Sequence, residues 1–207
     1  MESERTNNYD ISADRAKEYF MKYSADSIIE KWQLSSDEEW MYVTFLGWNY
    51  KIRKSDREVV NLTEDRKVSF EEVLSIFDLL AHTEGKPVAS NEYAGVNSLK
   101  GQGAQVGVGE GDFFGKYAKL FGDDILSFKA ACQTLAGREI KLGDFGYEFD
   151  IFEDLKIRLK FYEADDEFPS SMMFFWNDNA LEFIYYETAY YIMVFLCSRI
   201  EAIMGNN

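Results

Sequence analysis

Prolines and cysteines number only two each in the 207 residues, histidine occurs once, and 22 basic residues face 37 acidic ones. Each shortage removes a class of function. With Cys132 and Cys197 as the only thiols and no Cys-x-x-Cys pair, the chain has neither a zinc ribbon nor a four-cysteine iron–sulfur site of its own. Both cysteines sit in apolar helical patterns, Phe128-x-x-Ala131-Cys132-x-x-Leu135 and Phe195-Leu196-Cys197, and read as small buried hydrophobes. Any Cys-His, Ser-His or two-histidine metal mechanism within one chain has to use His82. A net charge of −15 repels phosphate backbones, which argues against nucleic acid and anionic membranes as partners. Long hydrophobic runs are missing too. The longest, Ala189 to Cys197, lies between Glu187 and Arg199 and is far short of the ~20 residues that span a bilayer. Met1-Glu2-Ser3-Glu4-Arg5 has no apolar stretch behind it and does not read as a signal peptide. The expectation is a soluble, cytoplasmic protein.

What is present is aromatic: 17 Phe, 13 Tyr and 4 Trp, in a chain 46% hydrophobic and 29% charged. That composition excludes a disordered or collagen-like chain. The length fits one domain on a prior of ~100–200 residues, large enough to bury about 70% of its surface.

Residues 1–10 are polar and read as a flexible N-terminus, and residues 11–204 as a single α+β domain. A first helix is expected from Ser12, with Ala16, Tyr19, Phe20 and Tyr23 on one face. Ser24 caps a second that carries Ile28, Ile29 and Trp32. Met41, Val43 and Phe45 then alternate with Tyr42, Thr44 and Leu46, a strand with both faces partly covered. Gly47 turns the chain, and Tyr50–Arg53 and Val59-Val60 complete a meander. Ser69-Phe70-Glu71-Glu72 is a capping box opening a helix that Gly85 and Pro87 stop. Residues 85–111 lack periodicity, and about 90–111 read as a glycine-rich loop, either mobile or functional. Two helices follow, the second capped near Asp123 or Asp124 and ending at Gly137. Leu155, Ile157, Leu159 and Phe161 alternate with Lys156, Arg158 and Lys160, a strand with one wet face whose hairpin partner is Tyr147–Phe152. Met172–Trp176 is apolar on both faces and is expected to be covered. Asn177-Asp178-Asn179 is a turn, and Thr188–Met204 the last helix. Helices, meander, helices, meander, helix is the order of an α+β fold.

The segment from Gly101 to Gly111 invites a nucleotide reading, but its spacing fails. Val106 stands where the dinucleotide fingerprint needs glycine, and Gly111 to Gly115-Lys116 leaves three intervening residues where the phosphate loop needs four. Gly107 and Gly109 remain candidates for an anion cradle, against the plainer reading of a mobile loop or lid. His82 closes the helix from Ser69, where an imidazolium suits the helix dipole. It is a catalytic candidate with no nucleophile elbow to support it. Glu163-Ala164-Asp165-Asp166-Glu167-Phe168-Pro169 packs carboxylates beside an apolar pair. It is not an EF-hand and reads as a solvated loop without a metal. Phe168 is expected to anchor that loop by burying against Met172–Trp176, with at least one carboxylate turned inward. In the aromatic cluster of Phe174-Phe175-Trp176, Tyr185-Tyr186 and Tyr190-Tyr191, the excess of hydroxyls points to a wet or liganded edge. Trp176, Tyr186 and Tyr190 are the ligand candidates there.

The stretch from Asp165-Asp166-Glu167-Phe168-Pro169 to Trp176, with Glu187 opening the last helix, resembles the family catalogued as domain of unknown function 3786. Leu79-Leu80-Ala81-His82 ahead of Gly85-Lys86-Pro87, and Leu135-Ala136-Gly137, follow the same family pattern over about residues 10–204. The resemblance implies an origin among anaerobic bacteria and archaea, and relatives that carry a cysteine-rich iron–sulfur segment beside corrinoid methyl-transfer proteins. This chain lacks those cysteines, so no cluster is implied for it, and the family brings no activity with it.

Two functions are open. One is a non-catalytic binding or accessory protein, serving another protein or a small molecule in corrinoid or iron–sulfur metabolism of an anaerobe. The other is a small-molecule enzyme with Asp166, Glu167 and Glu187 as acid–base groups in an aromatic-lined pocket. Convergence of those carboxylates on one concavity distinguishes the two.

Overall fold

Strict alternation of apolar and polar residues builds two antiparallel sheets, and helical stripes cover them. The computed structural model describes residues 16–83, 85–101 and 114–205. The chain is α+β. Its contacts divide it into two compact units, one formed by residues 1–87 and 183–192, the other by 88–182 and 193–207.

In the first unit, β1 (Trp40–Phe45), β2 (Trp48–Arg53) and β3 (Val59–Asn61) pair in that order. Phe45 faces Trp48 across a two-residue turn in which Leu46 and Gly47 take φ of 49° and 75°. Two left-handed residues match the twist of a hairpin, and glycine makes the second one easy. Met41, Val43 and Phe45 are buried. On the other face Trp40 lies under Lys51 at 4.1 Å and Arg53 at 4.8 Å, which explains its partial cover. Helix α1 is described over residues 16–20, and α2 spans Ala25–Trp32. Trp32 of α2 donates its indole N–H to the Leu80 carbonyl at 3.0 Å.

Helix α3 (Phe70–Ala81) opens on the expected capping box of Ser69 and Glu72. Glu72 does more than cap. Fully buried, it receives two guanidinium bonds from Arg66 at 2.7 Å and the Tyr50 hydroxyl at 2.6 Å. A buried carboxylate is tolerable with this many donors.

The second unit holds a five-stranded antiparallel sheet ordered β4-β8-β7-β6-β5. Its strands are β4 (Tyr93–Gly95), β5 (Arg138–Ile140), β6 (Phe145–Phe152), β7 (Leu155–Tyr162) and β8 (Ser171–Asn177). The hairpin of β6 and β7 is the one its alternation predicts. β8 departs from expectation in part: Met172, Phe174 and Trp176 are buried, while on the other face Met173 is 47% exposed and Phe175 half-buried, so that face is only partly covered. Helices α4 (Gly115–Asp123) and α5 (Ile125–Thr134) belong to this unit. Phe128 of α5 meets Phe121 and Phe161, each at 5.1 Å between ring centroids. After α5 the left-handed position falls on Ala136 (φ 58°) and not on Gly137. Gly137 is required by space, since a Cβ there would meet Phe149 Cε1 at 2.6 Å.

The stretch read as structureless from 85 is ordered as far as 101. Asn177-Asp178-Asn179 holds it: Asn177 Nδ2 donates to the Ser90 carbonyl at 2.7 Å and Asn179 Nδ2 to that of Val88 at 3.0 Å. Lys100 pairs with Asp178 at 2.6 Å. Such long-range side-chain clamps leave no periodic trace in the sequence. Residues 102–113, with Gly107 and Gly109, lie outside the described residues.

Helix α6 (Tyr186–Gly205) has its first residues in the first unit and the rest in the second. Among the described helices it is the one long and apolar enough to cross a membrane. Its apolar side chains have another use: Ala189, Ile192, Met193, Leu196, Cys197 and Ile200 are all buried in the protein.

Candidate functional site

Three stripes of helical spacing enclose a cavity of about 250 Å³ in the first unit. Helix α3 contributes Leu74, Phe77, Asp78, Ala81 and His82, whose intervals of three, one, three and one trace a single face. The N-terminal segment brings Ala16, Tyr19, Phe20 and Tyr23 at the same intervals. The start of α6 adds Tyr185, Glu187, Thr188 and Tyr191. Phe20 stacks on Phe77 at 4.3 Å and 11° to form the apolar side of the chamber. Tyr19 and Tyr185, 47% and 56% exposed, stand at its mouth with the exposed Glu187.

The polar side is organised around Asp78. Its Oδ2 accepts the Tyr185 backbone N–H at 2.8 Å, and the Thr188 hydroxyl donates to the same carboxylate. Burial pushes the Asp78 carboxyl above the usual carboxylate range, and these two donors together with His82 pull it partly back. His82 Nδ1 is 3.7 Å from Asp78 Oδ1, longer than a hydrogen bond, and the imidazole stands edge-on to Tyr185 at 4.3 Å between ring centres. The Tyr19 and Tyr23 hydroxyls are 3.1 Å apart. That bond, then burial, pushes the Tyr23 phenol up to about 12. The phenol is therefore neutral at physiological pH, a donor and acceptor without charge.

Of the sequence candidates, His82 and Glu187 line this cavity. Tyr186 and Tyr190 do not. Their hydroxyls lie 3.2 Å from each other, and the tyrosines on the cavity are Tyr185 and Tyr191. Trp176 is fully buried within β8 of the second unit. Asp166 and Glu167 are exposed, in a turn of the second unit, and line neither cavity described in this section.

That turn corrects the anchored-corner expectation. Phe168 is 66% exposed. The corner is closed by Asp165, whose Oδ1 accepts the backbone N–H groups of Glu167 at 2.8 Å and Phe168 at 2.7 Å. These bonds hold the Asp165 carboxyl below its ordinary range. A polar ring closes the chain without burying the phenyl, and no carboxylate from Asp165 to Glu167 turns inward. In the open depression beside it, lined by Asp144, Tyr162, Glu163, Asp165 and Phe168 among others, Asp144 and Asp165 accept backbone N–H groups, Asp144 that of Glu163 at 2.9 Å. No group of three metal-ligating side chains occurs among the described residues.

The polar and tyrosine side chains of the site that sequence reasoning missed are Asp78, Thr188, Tyr19, Tyr23, Tyr185 and Tyr191. The available signal was Asp78 four residues before the only histidine, within an otherwise apolar helix face.

The family model described as Domain of unknown function (DUF3786) matches residues 25–199. The chain belongs to that family. No curated protein and no solved structure matches it. The DUF3786 span takes in the α3 and α6 walls of the cavity, whereas Ala16, Tyr19, Phe20 and Tyr23 precede it.

Proposed function

We propose that this DUF3786 protein is a soluble, cytoplasmic, non-catalytic binding protein that holds one small molecule in the tyrosine-walled cavity. The observation that carries the reading is the convergence of three helical stripes on one partly apolar concavity, with a few polar groups on one side. Large rings left half exposed at a cavity mouth gain nothing from water and fit a ligand edge. The chemistry favours holding over transforming. Among the described residues no Cys, Ser or Lys lines the cavity, and the Thr188 hydroxyl is engaged with Asp78. A volume of about 250 Å³ lies just below the roughly 300–1,000 Å³ usual for ligand sites, so the occupant is small.

The test is a thermal-shift screen of small metabolite-like compounds against the protein and a Leu74→Trp variant whose added ring fills the chamber. A ligand that raises the Tm of the protein and leaves the variant unmoved supports the reading. Equal shifts in both place the binding elsewhere and overturn it.

A further inference from the structure

We propose that the molecule held in this cavity is an organic ammonium ion, a primary or quaternary amine with a short apolar body. The inference rests on the binding role proposed above and specifies its ligand class. Among the described residues thirteen side chains line the cavity; six are aromatic and none is Lys or Arg. Ring faces carry negative potential and attract cations, most strongly where water is excluded. Tyr19, Tyr23 and Tyr185 line the mouth. Tyr19 and Tyr23 meet at 68° and so do not stack on each other, and the Lys22 ammonium lies over the Tyr19 ring at 5.1 Å, the kind of contact a cationic guest would make.

The carboxylates on the described lining are Asp78 and Glu187, while the cations Lys22, over Tyr19 at 5.1 Å, and Arg57, over Phe20 at 5.7 Å, lie outside the lining. Asp78 lies on the inner side and Glu187 at the rim, and a net charge of −15 adds a field that draws cations inward. His82 lies beside Asp78, at 3.7 Å, and against the Tyr185 ring, while Glu187 stands exposed at the rim. An anionic ligand would meet two carboxylates and, among the described lining residues, no Lys or Arg. A neutral ligand would leave the ring faces and the rim charge unused.

The apolar body has its own place against Phe20, Phe77 and Leu74. An ammonium group at the mouth and a hydrocarbon end inside would satisfy both halves of the lining. Phenols at the mouth accept from a primary ammonium, while a quaternary one needs only the ring faces.

The experiment is isothermal titration of the full chain with three probes matched in size: choline, its uncharged carbon isostere 3,3-dimethylbutan-1-ol, and 3,3-dimethylbutanoate. The expected result is choline binding about tenfold or more tighter than the alcohol, with the carboxylate not bound. Glu187→Gln, an exposed substitution, is expected to narrow that margin with the Tm unchanged. If the alcohol or the carboxylate binds as well as choline, and Leu74→Trp abolishes the binding, the ammonium inference falls while the cavity reading stands. If no probe binds and the thermal-shift screen also yields nothing that Leu74→Trp blocks, both fall.

Discussion

The backbone N–H of Tyr185 donates to Asp78 Oδ2 at 2.8 Å, joining residues 107 apart in the chain. One carboxylate thus fixes the start of the α6 segment against α3 and sets the polar side of the cavity. The two roles can be separated. Asn at position 78 keeps an oxygen for the Tyr185 N–H and removes a charge that burial disfavours. Because the Asp78 carboxyl is raised in the folded protein, its contribution favours folding at low pH and is lost as pH rises through the folded value. Asp78→Asn is therefore expected to melt at or above the wild-type temperature at neutral pH, and to bind choline about tenfold more weakly. Calorimetry and titration on the same sample check both halves.

Tyr23 gives the cavity an alkaline signature. Its phenol is pushed up to about 12, whereas an unfolded tyrosine titrates near 10. Between those values the folded state holds a proton that the unfolded state has released. Stability is then expected to fall as pH rises from about 10 and to level off above 12. Tyr23→Phe removes this component of the fall. Unfolding midpoints of the two proteins across that range, with the tyrosinate absorbance followed in parallel, provide the check.

The buried Glu72 is the most demanding polar group of the first unit. Glu72→Ala leaves the Tyr50 hydroxyl without this acceptor and takes two bonds from Arg66, which keeps Glu64 at 2.8 Å, and is expected to cost more than the loss of any one of these bonds. Tyr50→Phe removes one bond to a charged acceptor and is expected to cost about 1.5–3 kcal/mol. Urea titrations measure both. Equal costs for the two variants would contradict the picture of one carboxylate serving several donors.

The Asp165 turn reverses an expectation from sequence. Phe168→Ala is expected to change stability by less than about 0.5 kcal/mol, because the ring is 66% exposed. Asp165→Ala removes the acceptor of two backbone N–H groups and is expected to destabilise the protein more than Phe168→Ala does. Hydrogen exchange at the Glu167 and Phe168 amides is the sensitive readout, faster in Asp165→Ala and unchanged in Phe168→Ala.

What the sequence revealed and concealed follows the range of the interactions. Ser69 and Glu72 are three residues apart, so their capping box is legible, and the alternation of Leu155–Phe161 defines a strand by itself. The role of Tyr93–Gly95 as β4 is not legible, because the segment is three residues long and pairs with Phe175, Trp176 and Asn177 of β8 from far along the chain. Phe168 misled for a related reason: its apolar character suggests burial, and the turn is in fact closed by a carboxylate three residues earlier. At the cavity, His82 and Glu187 were named but Asp78 was not, since a lone acid in an apolar helix has no pattern to mark it. Tyr185 and Tyr191 stood in the aromatic cluster beside Tyr186 and Tyr190, and only the phase of α6 decides which pair faces α3.

The most direct test of the cavity as an ammonium site is a choline titration followed by NMR of protein labelled with ring-¹³C tyrosine, with resonances assigned by single Tyr→Phe substitutions. Of the 13 tyrosines, Tyr19, Tyr23, Tyr185 and Tyr191 line the cavity. The expected result is saturable movement of those four ring signals, with the Tyr50, Tyr93 and Tyr147 signals still. Movement spread over tyrosines of both units, or none at saturating choline, would contradict it.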